Sequence, residues 1–272
     1  MIIENKNNFE IIKYDSINEF YDYICETPLN KAFKNAKLSS TINDEKFTGT
    51  KSFDEAVNLM KNGWEDMSKK LTQKLNVICK DTTIVTKKKS VYDVVGYQAN
   101  VPRYLQGIPT NMVRTINTPA KQKAITIIKS IDYSANIPSS IIIEESIKAL
   151  AIVKKIEAQG TRVNLDICVG SLSLNKKENN NFLLKIRVKN ANERLNISKL
   201  AFVLVHPSML RRLVFRWIEV YPKISKYFIS NYGAPAKKEQ LLNMLGKNEY
   251  LIPALMLTTR IEEVKGFEDL LK

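Results

Sequence analysis

The residues best suited to chemistry gather around the only histidine of the chain, His206. It follows an apolar run, residues 201–205, that reads as a strand, and Pro207 and Ser208 then open a helix carrying Arg211 and Arg212 in its first turn. A strand end, an arginine pair and a helix N-terminus together suit an anion such as phosphate or carboxylate, because first-turn amides and guanidinium forks both donate to oxygen. No nucleophile or acid stands at a spacing that would make His206 part of a triad. The competing reading is a hydrogen-bonded structural histidine, with Arg211, Arg212 and Arg216 forming a helix-surface ion pair with Glu219. Lys87, Lys88 and Lys89 form a cationic run that is either a solvated turn or a phosphate contact for nucleic acid. Asp166 and Glu157 have no partner that the sequence places. Neither a G-x-G-x-x-G motif nor a Walker sequence occurs, so a standard dinucleotide or P-loop site is not expected.

Charge narrows the partners. The 272 residues carry a formal net charge of +14, distributed unevenly: residues 1–60 hold 7 Lys and Arg against 10 Asp and Glu, and residues 61–272 hold 35 against 18. The basic excess favours nucleic acid, an acidic protein surface or anionic headgroups. A codon bias toward Lys, Asn and Ile is the plain alternative. Cys25, Cys79 and Cys168 are odd in number and far apart, which argues against a disulfide framework or a zinc site. No apolar run reaches the roughly 20 residues needed to span a bilayer. Residues 1–9 are polar and do not read as a secretory signal, so a cytoplasmic protein is expected.

The elements that must position these groups are read from periodicity. Residues 16–26 form a short amphipathic helix behind Ser16, and 27–51 a polar loop or connector. Ser52 and Glu55 mark a second helix with an apolar stripe through Phe53, Ala56, Val57, Met60 and Trp64, continued over 65–79. Residues 82–118 hold short β-prone segments, 83–86 and 91–95, broken by Gly and Pro, and read as an irregular crossing segment. Residues 124–131 (AITIIKSI) are a strand covered on both faces. A loop opening on Asp132 and Ser134 follows, then a helix from the caps Ser139 and Ser140 to Gly160, then a strand over 162–169. Parallel pairing of the two strands is the default for such a unit. Further strands are expected at 182–189 and 251–257, and helices at 209–221, 224–230, 237–245 and 261–271. The fold class expected is α/β, a mostly parallel sheet flanked by helices, with residues 1–118 as an N-terminal helical region and crossing segment and 119–272 as the α/β domain.

The strand, loop, helix and strand from 124 to 171 resemble the layer of nucleotide-binding-like or von Willebrand factor A-like domains. In the latter, an Asp and two hydroxyls spaced two apart give Mg²⁺ the hard oxygens it prefers. Asp132, Ser134 and Asn136 resemble a degenerate form of that loop, with Asn136 in place of a hydroxyl residue. The alternative is that Asp132 and Ser134 satisfy turn amides. Residues 52–64 (SFDEAVNLMKNGW), 101–112 (VPRYLQGIPTNM), 156–163 (IEAQGTRV) and 200–222 (LAFVLVHPSMLRRLVFRWIEVYP) resemble an uncharacterised family of tailed-phage proteins. The resemblance implies a phage gene product with a von Willebrand factor A-like or Rossmann-like core, found in the infected cell or the virion. It implies no activity. Its matched positions are Arg103, Gly107, Pro109, His206, Arg211 and Arg212. Some phage proteins of the von Willebrand factor A type accompany a MoxR-type ATPase.

With no catalytic set in view, the expectation is a non-enzymatic binding or assembly protein that engages a phage or host protein through the sheet edge at Asp132 and His206. The alternatives are a nucleic-acid-binding protein using its basic region, and a metal-dependent phosphoryl-transfer or hydrolytic enzyme at the same edge.

Overall fold

A computed structural model describes residues 1–33, 38, 40–80, 86–119, 124–133, 137–172, 181–225, 228, 232 and 234–254. The chain opens with two strands, β1 (Ile2–Lys6) and β2 (Phe9–Tyr14). Helices α1 (Ile17–Glu26), α2 (Glu45–Thr48), α3 (Phe53–Asn62) and α4 (Glu65–Ile78) follow. Ser16 and Ser52 cap α1 and α3 by accepting from the amides of Glu19 and Glu55, each at 3.1 Å, and each cap satisfies a first-turn donor that the helix itself cannot.

Strands β3 (Thr86–Asp93), β4 (Gln98–Ala99) and β5 (Met112–Pro119), with the short helix α5 (Val101–Leu105) between the last two, make a separate three-stranded sheet in the order β3-β5-β4. This ordered ladder stands where an irregular crossing segment is expected. Its central strand, β5, lacks the apolar run by which a strand is usually read.

The α/β unit then forms as its pattern predicts: β6 (Ile125–Ser130), α6 (Ser139–Ala158) and β7 (Val163–Leu172), with β6 and β7 parallel. Strand β8 (Asn181–Lys189), helix α7 (Ile197–Val205), a π-helical segment at Met209–Val214, α8 (Phe215–Val220), α9 (Pro222–Ser225), β9 (Ala234–Pro235), α10 (Lys238–Leu242) and β10 (Glu249–Ile252) complete the chain. The expected helix at 261–271 lies outside the described residues.

The main sheet runs β1-β2-β8-β7-β6-β10, with β9 on β7. It is mixed: β10-β6-β7 is one parallel block, β2-β8 another, and β7 meets β8 antiparallel. The two parallel blocks therefore point their carboxyl ends at opposite rims. Alternation along each strand divides the core. Ile12, Ile127, Ile167, Leu184 and Ile186 face the large core under the helices, while Ile11, Ile128, Cys168 and Leu183 face a smaller one closed by Ala236, Leu241 and Met244. Gly170 lies where this second layer comes closest, since a Cβ there would stand 2.8 Å from Leu241 and 2.9 Å from Ala236.

Residues 201–205 are not a strand. They are the end of α7, which starts at the cap Asn196, whose side chain accepts from the amide of Lys199 at 3.1 Å. Leu200 to Val205 are all buried, and a helix buried on every side shows no apolar stripe to distinguish it from a strand. His206 thus follows a helix, and the expectation that it shares a strand rim with Asp132 is corrected. Among the described residues no helix is long and apolar enough to cross a membrane.

Candidate functional site

At the carboxyl end of β6, Asp132 is 6 % exposed. One carboxylate oxygen accepts from the Gly170 amide at 2.8 Å, and the other has no hydrogen-bond partner among the described residues. Burial pushes its carboxyl up to about 7, against the opposing pull of the Gly170 amide, Ser130 and Lys129. Lys129 is fully buried; its ammonium donates to the Pro253 carbonyl at 2.9 Å and lies 3.5 Å from Glu145. Burial draws it down to about 8, with Glu145 as the main opposing influence. The buried Lys129 ammonium is paired with Glu145 and also offsets part of the Asp132 charge. Ser134 and Asn136 lie outside the described residues, and among those described no cluster of three His, Cys, Asp or Glu could hold a metal.

The His206 ring is packed edge-on to Trp64 and stacked on Phe202, with centroids 4.7 and 5.2 Å away. Its Nδ1 accepts from the Ser208 amide at 3.2 Å, and burial lowers its pKa to about 4. The ring thus sits just ahead of the π-helical segment, tied to the backbone of Ser208. Tyr133 and His206 nevertheless line one small cavity of about 30 Å³ with Arg211, room for about one water molecule.

Arg211 and Arg212 work inward. Arg212 is fully buried, and its guanidinium donates to the Thr50 hydroxyl at 2.7 Å, the Thr50 carbonyl at 2.7 Å and the Ser40 carbonyl at 2.9 Å. Arg211 donates to the Phe47 carbonyl and lies over that ring, 4.5 Å from its centroid. The expected surface ion pair with Glu219 is absent among the described residues: Glu219 is buried and accepts from the Ser40 amide and hydroxyl and from the Tyr232 hydroxyl. These contacts fasten 40–50 to the helices. Arg103 is elsewhere, on the three-stranded sheet, holding Thr110 and stacked 4.4 Å over Tyr92. Lys88 and Lys89 are exposed on β3, which also contains the backbone of Lys87. The structure therefore brings His206, Arg211 and Tyr133 together and leaves Arg103 and the lysine run apart from them.

The opposite rim holds an open crevice of about 310 Å³ at the carboxyl ends of β2 and β8, a volume in the range of small-ligand pockets. β2 turns directly into α1 through Ser16, and β8 leads through 190–195 to α7 at Asn196, so the N-termini of two helices of 10 and 9 residues stand at its wall. Their first-turn amides and the positive ends of their dipoles favour an anion. Arg187, Lys189, Arg194 and Lys199 also line it.

Two of these cations are braced from behind. Arg187 is paired with the fully buried Asp166. Lys189 donates to Glu157 at 2.6 Å and to the carbonyls of Val163 and Asn190 at 2.9 and 3.1 Å. Arg194 and Lys199 are exposed, with no side-chain partner among the described residues. The acid of the crevice, Glu193, accepts from the amide and side chain of Asn190 at 2.9 and 3.0 Å, and those bonds hold its carboxyl below the ordinary value. It is a clasp for the loop, poorly placed to act as a base. No histidine or cysteine lines the crevice. Sequence reasoning missed this site, since its cations come from β8, the residues after it and α7, which only the fold brings beside Ser16. The available signal was a capping residue after each of two strands, Ser16 close behind β2 and Asn196 seven residues beyond the end of β8.

A family profile described as a domain of unknown function (DUF7192) matches residues 3–272. No curated protein and no solved structure matches the chain.

Proposed function

Starting from a chain that belongs to the DUF7192 family, a domain of unknown function, we propose a binding protein that takes a phosphate-bearing ligand in the crevice at the carboxyl ends of β2 and β8. The observation that carries this reading is the meeting, in one cavity of about 310 Å³, of two helix N-termini with Arg194 and Lys199, both free to donate. Ligands of α/β sheets bind outside the carboxyl ends of parallel strands, and β2 and β8 are such a pair.

Calorimetric titration with inorganic phosphate tests it, with acetate as the control anion. Each charge-assisted bond contributes about 1.5–3 kcal/mol, so Arg194→Ser with Lys199→Ser should weaken phosphate binding at least about tenfold. An unchanged isotherm would remove the reading.

The tailed-phage resemblance and the von Willebrand factor A-like core belong to the same proposal, as does a phage or host protein partner. The parallel β10-β6-β7 block with α6 between β6 and β7 supports the core assignment. Mass spectrometry of purified phage particles distinguishes a virion component from one confined to the infected cell. A nucleic-acid ligand is favoured by a different surface.

A further inference from the structure

Between Lys88 and Ile116 no residue is buried, although the stretch lies within an ordered ladder in which the eight residues of β3 (Thr86–Asp93) pair with the eight of β5 (Met112–Pro119). The three strands form a sheet of their own, an arm without a core. Seven of the thirteen large apolar residues exposed on the described surface fall within it: Tyr92, Tyr97 and Tyr104, with Val94, Val95, Val101 and Leu105. So much exposed apolar surface in one short segment marks an interaction site.

Charge decides the partner. The described side chains of the arm include Lys88, Lys89, Arg103 and Arg114 against one acid, Asp93, on a chain of net charge +14. Lysines along the free edge of β3 oppose the addition of a strand from a second copy. Tyr92 is set in place beforehand. The Arg103 guanidinium lies 4.4 Å over its ring, its hydroxyl accepts from Asn100 at 3.3 Å, and the residue is still 51 % exposed. A supported, half-exposed ring, two further exposed tyrosines at 67 % each and flanking ammonium groups combine stacking surface with backbone charge, the chemistry of sequence-tolerant single-strand binding. Duplex bases keep their faces covered, so stacking of this kind selects a single strand.

We propose that the arm of β3, β4, α5 and β5 is a binding surface for single-stranded nucleic acid, with Tyr92, Tyr97 and Tyr104 stacking on bases and Lys88 and Lys89 contacting phosphates. The site is separate from the β2/β8 crevice and does not depend on it.

The test is fluorescence anisotropy of a labelled oligothymidylate of about 12 nucleotides. The full chain is compared with a Tyr92→Ser, Tyr97→Ser, Tyr104→Ser variant, a Lys88→Ser, Lys89→Ser variant and the crevice variant Arg194→Ser, Lys199→Ser. Stacking contributes about 1–3 kcal/mol per base, so the tyrosine variant should bind at least about tenfold more weakly. The lysine variant should show a shallower dependence on salt, and the crevice variant should bind as the parent does. None of the substituted side chains is buried, and unchanged tryptophan fluorescence would verify that each body is folded. Four results would overturn the proposal: no binding at low salt, equal binding by the tyrosine variant, tighter binding of the corresponding duplex, or loss of binding in the crevice variant.

Discussion

Asp132→Asn should stabilise this protein at alkaline pH and leave it nearly unchanged in acid. The buried carboxyl titrates at about 7 in the folded chain against an ordinary value of 3.8, so folding takes up a proton between those limits. Stability therefore falls as pH rises from 3.8 to about 7. At about 1.4 kcal/mol for each pH unit, the full penalty above that range is about 4 kcal/mol. Asparagine has the shape of the protonated acid, and its carbonyl can accept from the Gly170 amide as the carboxylate does. The Asp132 carboxylate also helps to keep the buried Lys129 protonated, and losing that help takes back part of the gain. The expected net is about 2–4 kcal/mol at pH about 8 and close to zero at pH about 4. Urea unfolding of both proteins across this range measures the difference. His206 acts in the opposite direction, since a histidine lowered to about 4 removes stability as pH falls from 6.5, but it is common to both proteins and cancels. A variant that ran parallel to the parent at all pH values, or that lost stability in alkali, would refute the reasoning.

Other outcomes follow from the buried contacts. Arg212→Met leaves the Ser40 carbonyl without its donor and takes one of two donors from the Thr50 carbonyl, which still accepts from the Thr48 hydroxyl at 2.9 Å; at about 1–3 kcal/mol for an unmet group the urea midpoint should fall by the equivalent of about 2 kcal/mol, and a loss below about 1 kcal/mol would show that 40–50 is held by something else. Gly49→Ala forces a side chain into a left-handed residue, φ +81°, with its Cβ 2.5 Å from Pro207, and should cost at least about 2 kcal/mol of stability in the same assay. The ring protons of His206, the only histidine, should titrate near 4 by proton NMR, and a midpoint near 6.5 would mean an open ring.

The parts of the fold legible in the sequence were those whose burial leaves a periodic signature. The β-branched run at 124–131, the capped helix after it and the strand at 162–169 pair in parallel as their order requires, because a sheet covered on both faces needs such runs. Ser52 and Glu55 announced α3 in the same way. The run LAFVLV had no such signature, because α7 is enclosed by α3, α4 and α6; the clue lay upstream in Asn196. β1 is exposed throughout and, among the described residues, pairs only with β2, so nothing in its composition required a strand. Asp166 and Glu157 found their partners in Arg187 and Lys189 of β8, twenty or more residues away, and that pairing shapes the crevice. The histidine and arginine cluster had the residue types of an anion site, yet in three dimensions its donors are spent on carbonyls of 40–50. Residue type alone does not say which way a guanidinium faces.

The β2/β8 crevice is where the proposed phosphate binding stands or falls. Backbone amide NMR of the labelled protein during titration with inorganic phosphate tests it at atomic resolution. Saturable shifts concentrated at Ile17, Asn18, Ser198 and Lys199, and lost when Arg194 and Lys199 are replaced by serine, are what the crevice predicts. Shifts gathered instead around His206 and Arg211, or none at all, would contradict it.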